Sequence, residues 1–325
     1  MTKKLDKHQV IGIVGLAKNT GKTTTLNWLI KKNLNETIGL TSVGLDGEKM
    51  DQIHFLPKPR IMVYQTMIVA TAQSCLDESK ISYDVIEKTN LFTSIGEILV
   101  VRIKSEGYLV IAGPTTNQEL SSVLKMMKVH ATKIFVDGAF NRMTFSNLDE
   151  IDGVILATGA SVSPNMEETV NQTRRIVDLF NLKKTSYRIK NSEAKIIFST
   201  PQGEVYLDDK KIASIENILN DVGISIQKIY VKGAISEKLM DALILSRRSH
   251  YELIGEDPSR FIFQSRRFKY LEALNVDLSV VKTFKLLYVT MNPFRPTHQS
   301  YDANEFMKAL KNNINLDVID VMREE

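Results

Sequence analysis

The chain has 325 residues, of which 43% are hydrophobic and 25% are charged. This is the composition of an ordinary folded globular protein, and the length predicts two domains. The 42 basic and 38 acidic residues are mixed along the chain and leave a net charge of only +4, which argues against nucleic acid as a partner.

Cysteine content and apolar runs indicate the compartment. The single cysteine, Cys75, excludes an intramolecular disulfide and a metal site made of cysteines alone. It is expected to be a small buried residue in a reducing environment. The basic N-terminal segment does not lead into the apolar core of a signal peptide, and no apolar run reaches the length of a membrane span. These features predict a cytoplasmic protein with no membrane partner.

A candidate phosphate-binding loop lies near the start of the chain. An apolar run at 10–14 predicts a strand, and a run at 24–32 has helical apolar spacing. The segment that joins them is Gly15-Leu16-Ala17-Lys18-Asn19-Thr20-Gly21-Lys22-Thr23-Thr24. A strand, a glycine-bearing loop and a helix in this order place backbone N–H groups and a helix N-terminus under a phosphate chain. The segment therefore predicts a nucleotide-binding site.

Three residues of this loop have roles that follow from their chemistry. Gly21 permits close approach of the phosphates, Lys22 places a charge on the terminal phosphates, and the Thr23 hydroxyl is suited to Mg²⁺. The remaining candidates for nucleotide contact are Gly15, Lys18, Asn19, Thr20 and Thr24. Five residues separate the two glycines, one more than in the standard pattern. An open alternative is that Gly-Lys-Thr only begins a helix in a glycine-turned connection.

Acidic residues follow the next predicted strand, 37–44. Asp46 and Glu48 come directly after it, and ligands of open α/β sheets bind beyond the carboxyl ends of the strands. Asp46 and Glu48 are therefore candidates for facing the γ-phosphate and orienting Mg²⁺ or a water molecule. A solvated turn built on Asp46-Gly47 would explain the same residues.

Asp137 is the second strong candidate. The apolar run that begins at Lys133 predicts a strand, and it ends in Asp137 followed by two small residues, Gly138 and Ala139. Folds with a phosphate loop place their second acidic group in this way, where it holds Mg²⁺ directly or through water. The open alternative is an Asp-Gly turn that closes a buried strand. Asn141 and Arg142 follow at the same edge and could reach a phosphate or a base.

The rest of the first half alternates between predicted helices and strands. The pattern predicts helices at 67–72, 118–127 and 164–182, and strands at 81–86, 97–103, 108–113 and 151–160. The alternation predicts an α/β fold with a doubly wound, mainly parallel sheet that carries the phosphate loop. We place this nucleotide-binding domain at residues 1–182.

A second α/β domain is predicted at residues 183–325. A hairpin at 194–207 opens it, and alternating helices and strands follow. It contains no second phosphate loop. Its best candidate binding loops are 232–234, before a helix, and 291–298, after a strand; each is also explained as a structural connection.

Several motifs are absent. No Cys/His spacing matches a zinc site, and there is no Gly-x-Ser-x-Gly element of a hydrolase. The Asn-Lys-x-Asp motif of guanine-binding GTPases is also missing. The sequence therefore favours ATP over GTP, with Mg²⁺ as the second cofactor.

Two motifs resemble a known clan. The loop from Gly15 to Thr23 is similar to the phosphate loop of dethiobiotin synthetases, and Val136-Asp137-Gly138-Ala139 resembles their Val-Glu-Gly-Ala segment. The resemblance places the N-terminal half among the SIMIBI class of P-loop NTPases, with cobyrinic acid amidating synthetases, nitrogenase iron protein and septum-site ATPases. It implies that Lys22 and Thr23 bind phosphate and Mg²⁺, and that Asp137 and Asp46 serve the metal.

The same resemblance leaves the role of Lys18 open. It lies near the position at which the septum-site and iron-protein branch has a lysine that acts across a dimer, but its spacing to Lys22 differs. The pattern from Thr41-Ser42-Val43-Gly44 through Asn292-Pro293 also resembles accessory proteins of cobalamin-dependent aminomutases, which are thought to reactivate those enzymes.

Three functions fit these predictions. The first is an ATPase, with Lys22, Asp46 and Asp137 as catalytic residues, whose hydrolysis drives a change in a protein partner or homodimer, as in the reactivation of a cofactor-dependent enzyme. The second is an ATP-dependent ligase or kinase of the dethiobiotin synthetase type, acting on a small carboxylate. The third is a nucleotide-sensing interaction module without significant turnover.

Overall fold

The structure, a computed structural model, describes residues 5–44, 60–138, 150–221, 223–263, 265–296 and 299–323. The chain divides into two compact units. Unit 1 comprises residues 1–173 and 285–325, and unit 2 comprises residues 174–284. Among the described helices, none has the length and apolar character needed to cross a membrane.

Unit 1 is built around a large sheet. Its strands and those of a separate two-stranded ribbon are β1 (Val10–Gly15), β2 (Ile38–Ser42), β3 (Ile61–Val63), β4 (Ile68–Ala72), β5 (Tyr83–Thr93), β6 (Gly96–Ile103), β7 (Gly107–Leu109), β8 (Lys133–Asp137), β9 (Gly153–Gly159), β18 (Leu286–Asn292) and β19 (Val318–Ile319). The nine strands of the sheet are in the order β19-β18-β9-β1-β8-β2-β4-β6-β5, and β3 pairs with β7. The seven strands from β19 to β4 are parallel, and β6 is antiparallel to both of its neighbours.

Helices connect these strands. They are α1 (Lys22–Lys32), α2 (Gln73–Asp77), α3 (Asn117–Lys128), α4 (Met166–Phe180) and α8 (Ala303–Asn313), and α4 contains the point at which the chain passes into unit 2. Helix α3 begins with a capping box, in which the Thr116 hydroxyl accepts from the Glu119 N–H and Glu119 bonds back to the Thr116 N–H. This reciprocal pair fixes the start of the helix by satisfying two of its first N–H groups.

The core of unit 1 lies on both faces of the central strands. Every residue of β1 and β9 is buried, which is the pattern of parallel strands covered on both sides. Ile13, Phe135 and Ile155 come from three adjacent strands and belong to one apolar cluster. The middle of the sheet is therefore packed on both faces, and the loops at the carboxyl ends of β1, β8 and β9 extend from it.

Unit 2 has its own smaller sheet. Its strands are β10 (Lys183–Lys184), β11 (Ile196–Thr200), β12 (Gly203–Leu207), β13 (Lys228–Val231), β14 (Ile235–Ser236), β15 (Glu252–Gly255), β16 (Phe261–Ile262) and β17 (Asp277–Val280), and its helices are α5 (Ile212–Asn220), α6 (Glu237–Leu245) and α7 (Ser265–Ala273). Six strands form a sheet in the order β10-β17-β15-β13-β11-β12, and β14 pairs with β16. The first four are parallel, and β11 and β12 form the predicted antiparallel hairpin.

The structure confirms an α/β fold with a large, mainly parallel sheet. The prediction of a helix at 67–72 was wrong, because Ile68–Ala72 is a buried strand. A short apolar run fits a buried strand as well as a helix segment, and three of these five residues are β-branched. The strand predicted at 108–113 ends at Leu109.

The division of the chain also differs from the predicted boundary. Residues 285–325 were assigned to a C-terminal domain, but they belong to unit 1. The reason is strand pairing: β18 lies parallel to β9 with six registered residue pairs, and β19 pairs with β18. The end of the chain thus extends the same sheet that carries the candidate phosphate loop.

Candidate phosphate-binding site

The loop between β1 and α1 has the backbone shape of a cradle. Gly21 occupies the N-cap of α1 with φ of 89°, and no side chain caps the helix at that position. Asn19 also has a left-handed φ, 61°. Glycine adopts such a φ without steric cost, so the loop can turn sharply into the helix. The N-terminus of α1 is therefore presented without a side chain from its cap residue.

Gly15 is required by the space inside this loop. A Cβ placed on Gly15 would lie 2.6 Å from the Thr20 hydroxyl oxygen and 2.7 Å from Cγ of Lys22. Thr20 is buried, and its hydroxyl donates to the Ala17 carbonyl at 2.9 Å. The loop thus folds back over the end of β1, and the stem of Lys22 passes directly over Gly15.

Lys22 reaches across to the neighbouring strand. Its Nζ donates to the Gly138 carbonyl at 3.2 Å. Strands β1 and β8 are adjacent and parallel, with Ile13 in register with Asp137, and this places the residue after Asp137 beside the loop. The sheet therefore brings together two candidates that are 115 positions apart in the sequence, Lys22 and Asp137.

Asp137 carries an unsatisfied buried oxygen. Its Oδ1 is buried and has no hydrogen-bond partner. Burial raises the pKa of Asp137, while the charge of Lys22 and a hydrogen bond from the Gly138 backbone oppose that rise. A buried carboxylate oxygen without a partner is costly, and a cation would satisfy it. This orphaned oxygen and the cradle at Gly15 and Gly21 fit a phosphate group with its metal ion.

The other predicted residues have the following positions. Thr23 and Thr24 lie half-buried in the first turn of α1, and Lys18 is exposed in the loop. Asp46, Glu48, Asn141 and Arg142 lie outside the described residues. The structure therefore brings the loop together with Asp137. Among the described residues, no group of three or more His, Cys, Asp or Glu side chains is arranged to hold a metal ion by itself.

Asn292 was not assigned to this site from the sequence. Its Nδ2 donates to the main-chain carbonyl of Asn19 at 3.2 Å. A Cβ placed on Gly21 would lie 3.0 Å from Cβ of Asn292. The sequence showed only that Asn292 belongs to a loop after a strand. Its place beside the phosphate loop depends on β18 joining the sheet next to β9.

Further contacts tie β18 to the same edge. The hydroxyls of Thr25 in α1 and Thr290 in β18 are hydrogen-bonded at 2.7 Å and buried. The Asn292 carbonyl accepts from the Ala160 N–H at 3.0 Å, and a Cβ on Gly159 would lie 2.3 Å from that carbonyl oxygen. Gly159 thus allows the two strand ends to approach closely. The loop rests on β18 as well as on its own strand.

Comparisons with protein-family models, with curated proteins and with solved structures gave no match for this chain.

Proposed function

We propose that this chain is a Mg²⁺-dependent P-loop NTPase that uses ATP in preference to GTP and couples its binding and hydrolysis to a protein partner. The observation that carries the proposal is the contact between Lys22 Nζ and the Gly138 carbonyl, 3.2 Å long. It places the loop lysine beside the buried, unpartnered carboxylate oxygen of Asp137. A positive charge, an anionic metal ligand and a helix N-terminus then share one sheet edge.

Each residue has a role that its position supports. The backbone N–H groups at the start of α1 bind phosphate oxygens, and Lys22 supplies the charge that stabilises the γ-phosphoryl group. Thr23 in the first turn and Asp137 at the end of β8 would hold the metal. A Mg²⁺ ion held by these residues would supply positive charge that offsets the charge of the phosphates. Because Gly15 and Gly21 have no side chains, phosphate oxygens can approach the backbone of the loop at these two positions.

Partner coupling is the part of the proposal that rests on the sequence resemblance. Reactivation of a cofactor-dependent enzyme is one form of it, and a homodimer is another. The ligase or kinase alternative would use the same loop and metal ligands on a small carboxylate. The nucleotide-sensing alternative would use them without turnover. The three functions differ in what the release of phosphate from ATP requires. The ATPase responds to a protein partner, the ligase or kinase requires a small carboxylate, and the sensing module releases no phosphate.

Phosphate release from Mg-ATP and Mg-GTP tests the proposal. The expected result is slow release from ATP by the purified chain, faster release when a co-purifying protein is added, and loss of release in Lys22→Ala. Lys32→Ala is the matched control, because Lys32 is an exposed lysine in the last turn of the same helix. Strict dependence on a small carboxylic acid, with a phosphorylated product, would instead establish the ligase or kinase. Tight nucleotide binding without turnover under any condition would establish the sensing module.

A further inference from the structure

Unit 2 gathers basic residues at one edge of its sheet. Val231, Gly255 and Val280 lie side by side at the carboxyl ends of β13, β15 and β17. The antiparallel strand β11 begins at the same edge, because Ile196 is opposite Val231. Ligands of open α/β sheets bind beyond the carboxyl ends of parallel strands. The residues that follow these three strands, and those that flank the hairpin, therefore occupy the position of a ligand site.

The charges at this edge are mainly positive. Four basic residues, Lys195, Lys210, Lys232 and Arg260, lie with two carboxylates, Glu256 and Asp257. At the same edge, Asp208 and Asp209 follow β12, and Lys211 lies 3.7 Å from Asp209. Among these residues, the basic ones outnumber the acidic ones.

An arrangement that recognises an oxyanion is already formed here. The N–H of Gly233, whose φ is 76°, donates to Oε2 of Glu256 at 2.7 Å. Arg260 Nη2 lies 3.1 Å from the same oxygen. A backbone N–H in a loop and a guanidinium group that converge on one carboxylate oxygen form a typical anion-binding geometry. Here these two donors hold a carboxylate of the chain itself, and Arg260 Nε also lies 3.2 Å from Oδ2 of Asp257.

Lys210 adds a positive charge directly beside this loop. Its Nζ donates to the Ala234 carbonyl at 3.2 Å and lies 3.4 Å from the position of a Cβ on Gly233. Burial lowers the pKa of Lys210; the Glu256 carboxylate opposes this, and the charges of Arg260 and Lys195 lower the pKa further. Neighbouring cations thus disfavour the charged ammonium. An added anion would relieve that repulsion.

We propose that this edge of unit 2, which we call the unit 2 anion site, binds a small molecule through a phosphate group. The contacts would come from Lys210, Lys195 and Lys232, beside the pair formed by Glu256 and Arg260. The Lys232 Nζ already donates one hydrogen bond, to the Ser192 carbonyl at 2.6 Å. The site includes no residue of the loop from Gly15 to Thr24, and it does not depend on the function proposed for unit 1. Free phosphate and the phosphate of a nucleotide are two sources of the same chemistry.

Site-resolved titration tests this proposal. The amide resonance of Gly233 is followed by NMR while inorganic phosphate, and separately AMP, is added to the full chain carrying Lys22→Ala, so that the loop in unit 1 does not contribute. We expect saturable shifts at Gly233 with phosphate that sodium chloride at matched ionic strength does not reproduce. Tighter binding of AMP than of phosphate would identify a nucleotide as the source, and equal binding would identify a phosphate group alone.

Two substitutions separate a site from a merely charged surface. Lys210→Met is expected to weaken phosphate binding at least about tenfold, since it removes the charge beside Gly233. Lys211→Met is the matched control, because Lys211 is the adjacent exposed lysine paired with Asp209, and it should change the affinity by less than about twofold. Equal effects of the two substitutions, or equal shifts with chloride, would overturn the proposal.

Glu256→Gln keeps the test decisive if Lys210→Met does not fold. The amide oxygen of glutamine can still accept from Gly233, but the competing negative charge is gone. We expect phosphate affinity to rise severalfold in Glu256→Gln. An unchanged or weaker affinity in a folded Glu256→Gln chain would contradict the unit 2 anion site.

Discussion

The side-chain amide of Asn292 donates a hydrogen bond of 3.2 Å to the main-chain carbonyl of Asn19, which lies 273 positions earlier in the chain. This contact joins the last long strand of unit 1 to the loop between β1 and α1. It closes the candidate phosphate site with a residue from a segment that the sequence had assigned to another domain. The conformation of the loop therefore depends on residues 285–325.

Asn292→Ala tests this dependence. The substitution keeps the Cβ beside Gly21 and removes only the amide, so it should cost about 1 kcal/mol of loop stabilisation. We expect about fivefold weaker binding of Mg-ATP, measured by calorimetry. The control is Asn313→Ala, which removes a similar side-chain hydrogen bond, to the Ala309 carbonyl, at the end of α8. Equal affinities of wild type and Asn292→Ala would show that the contact does not position the loop.

Gly15→Ala tests the cradle. The new methyl group would lie within 2.8 Å of the Thr20 hydroxyl and of two carbons of Lys22, so the lysine stem must move. We expect Mg-ATP affinity to fall at least about tenfold, because a small displacement of the Lys22 ammonium group is enough to weaken its contact with a phosphate. Gly223→Ala is the control, since the nearest atom to its added Cβ is a side-chain oxygen at 3.4 Å. Undiminished Mg-ATP affinity in Gly15→Ala would show that phosphate binding does not depend on the position of the Lys22 side chain above Gly15.

Asp137→Asn should make the folded chain more stable and abolish Mg²⁺-dependent nucleotide binding. Burial raises the pKa of Asp137 above its ordinary value. As the pH rises through that ordinary value, Asp137 loses its proton in the unfolded chain before it does so in the folded chain. Above that pH, the charged carboxyl of Asp137 therefore lowers the stability of the native state. Asparagine removes this penalty. The gain in melting temperature over wild type should therefore be larger at about pH 7.5 than at about pH 4.5.

Thermal unfolding of the two chains at both pH values is the measurement. Nucleotide binding with and without Mg²⁺ is compared in parallel. A lower melting temperature for Asp137→Asn at neutral pH, with Mg²⁺-dependent binding intact, would show that Asp137 is a structural residue and not a metal ligand.

Lys133→Met tests a structural feature remote from the phosphate loop. The Lys133 side chain is only 2% exposed, and its Nζ donates to the carbonyls of Leu5 at 2.8 Å and His8 at 3.3 Å. Glu36 lies 3.7 Å away. Removing the ammonium takes a buried donor away from both carbonyls, and the Leu5 carbonyl keeps the His8 N–H at 3.0 Å. We therefore expect a loss of about 2–3 kcal/mol in the free energy of unfolding. Lys104→Met, at an ion pair with Asp84 in which both side chains are more than half exposed, should cost less than about 1 kcal/mol. Similar unfolding free energies for the two variants would show that the buried Lys133 ammonium stabilises the fold no more than an exposed ion pair does.

The local elements of the site could be predicted from the sequence. The strand before Gly15 and the helix after Gly21 follow from apolar spacing, and β8 ends at Asp137 as its apolar run predicts. These are short-range signals, because glycine conformation, helix starts and strand ends are encoded by neighbouring residues. The same signals predicted the unit 2 hairpin.

The long-range arrangement could not be predicted in this way. Nothing in the residues around β18 shows that it pairs with β9, because a buried parallel strand has the same apolar pattern wherever it is inserted. The contacts of Asn292 with Asn19 and of Thr25 with Thr290 depend on that pairing. For the same reason, the sequence-based domain boundary placed residues 285–325 in the wrong unit.

Calorimetric titration of Mg-ATP into wild type, Lys22→Ala and Lys32→Ala tests the central claim most directly. We expect saturable binding by wild type and by Lys32→Ala, and no measurable binding by Lys22→Ala at the same concentrations. Thermal unfolding of all three chains shows whether each is folded. Unchanged affinity in a folded Lys22→Ala chain would contradict the assignment of Gly15 to Thr24 as a nucleotide-binding loop.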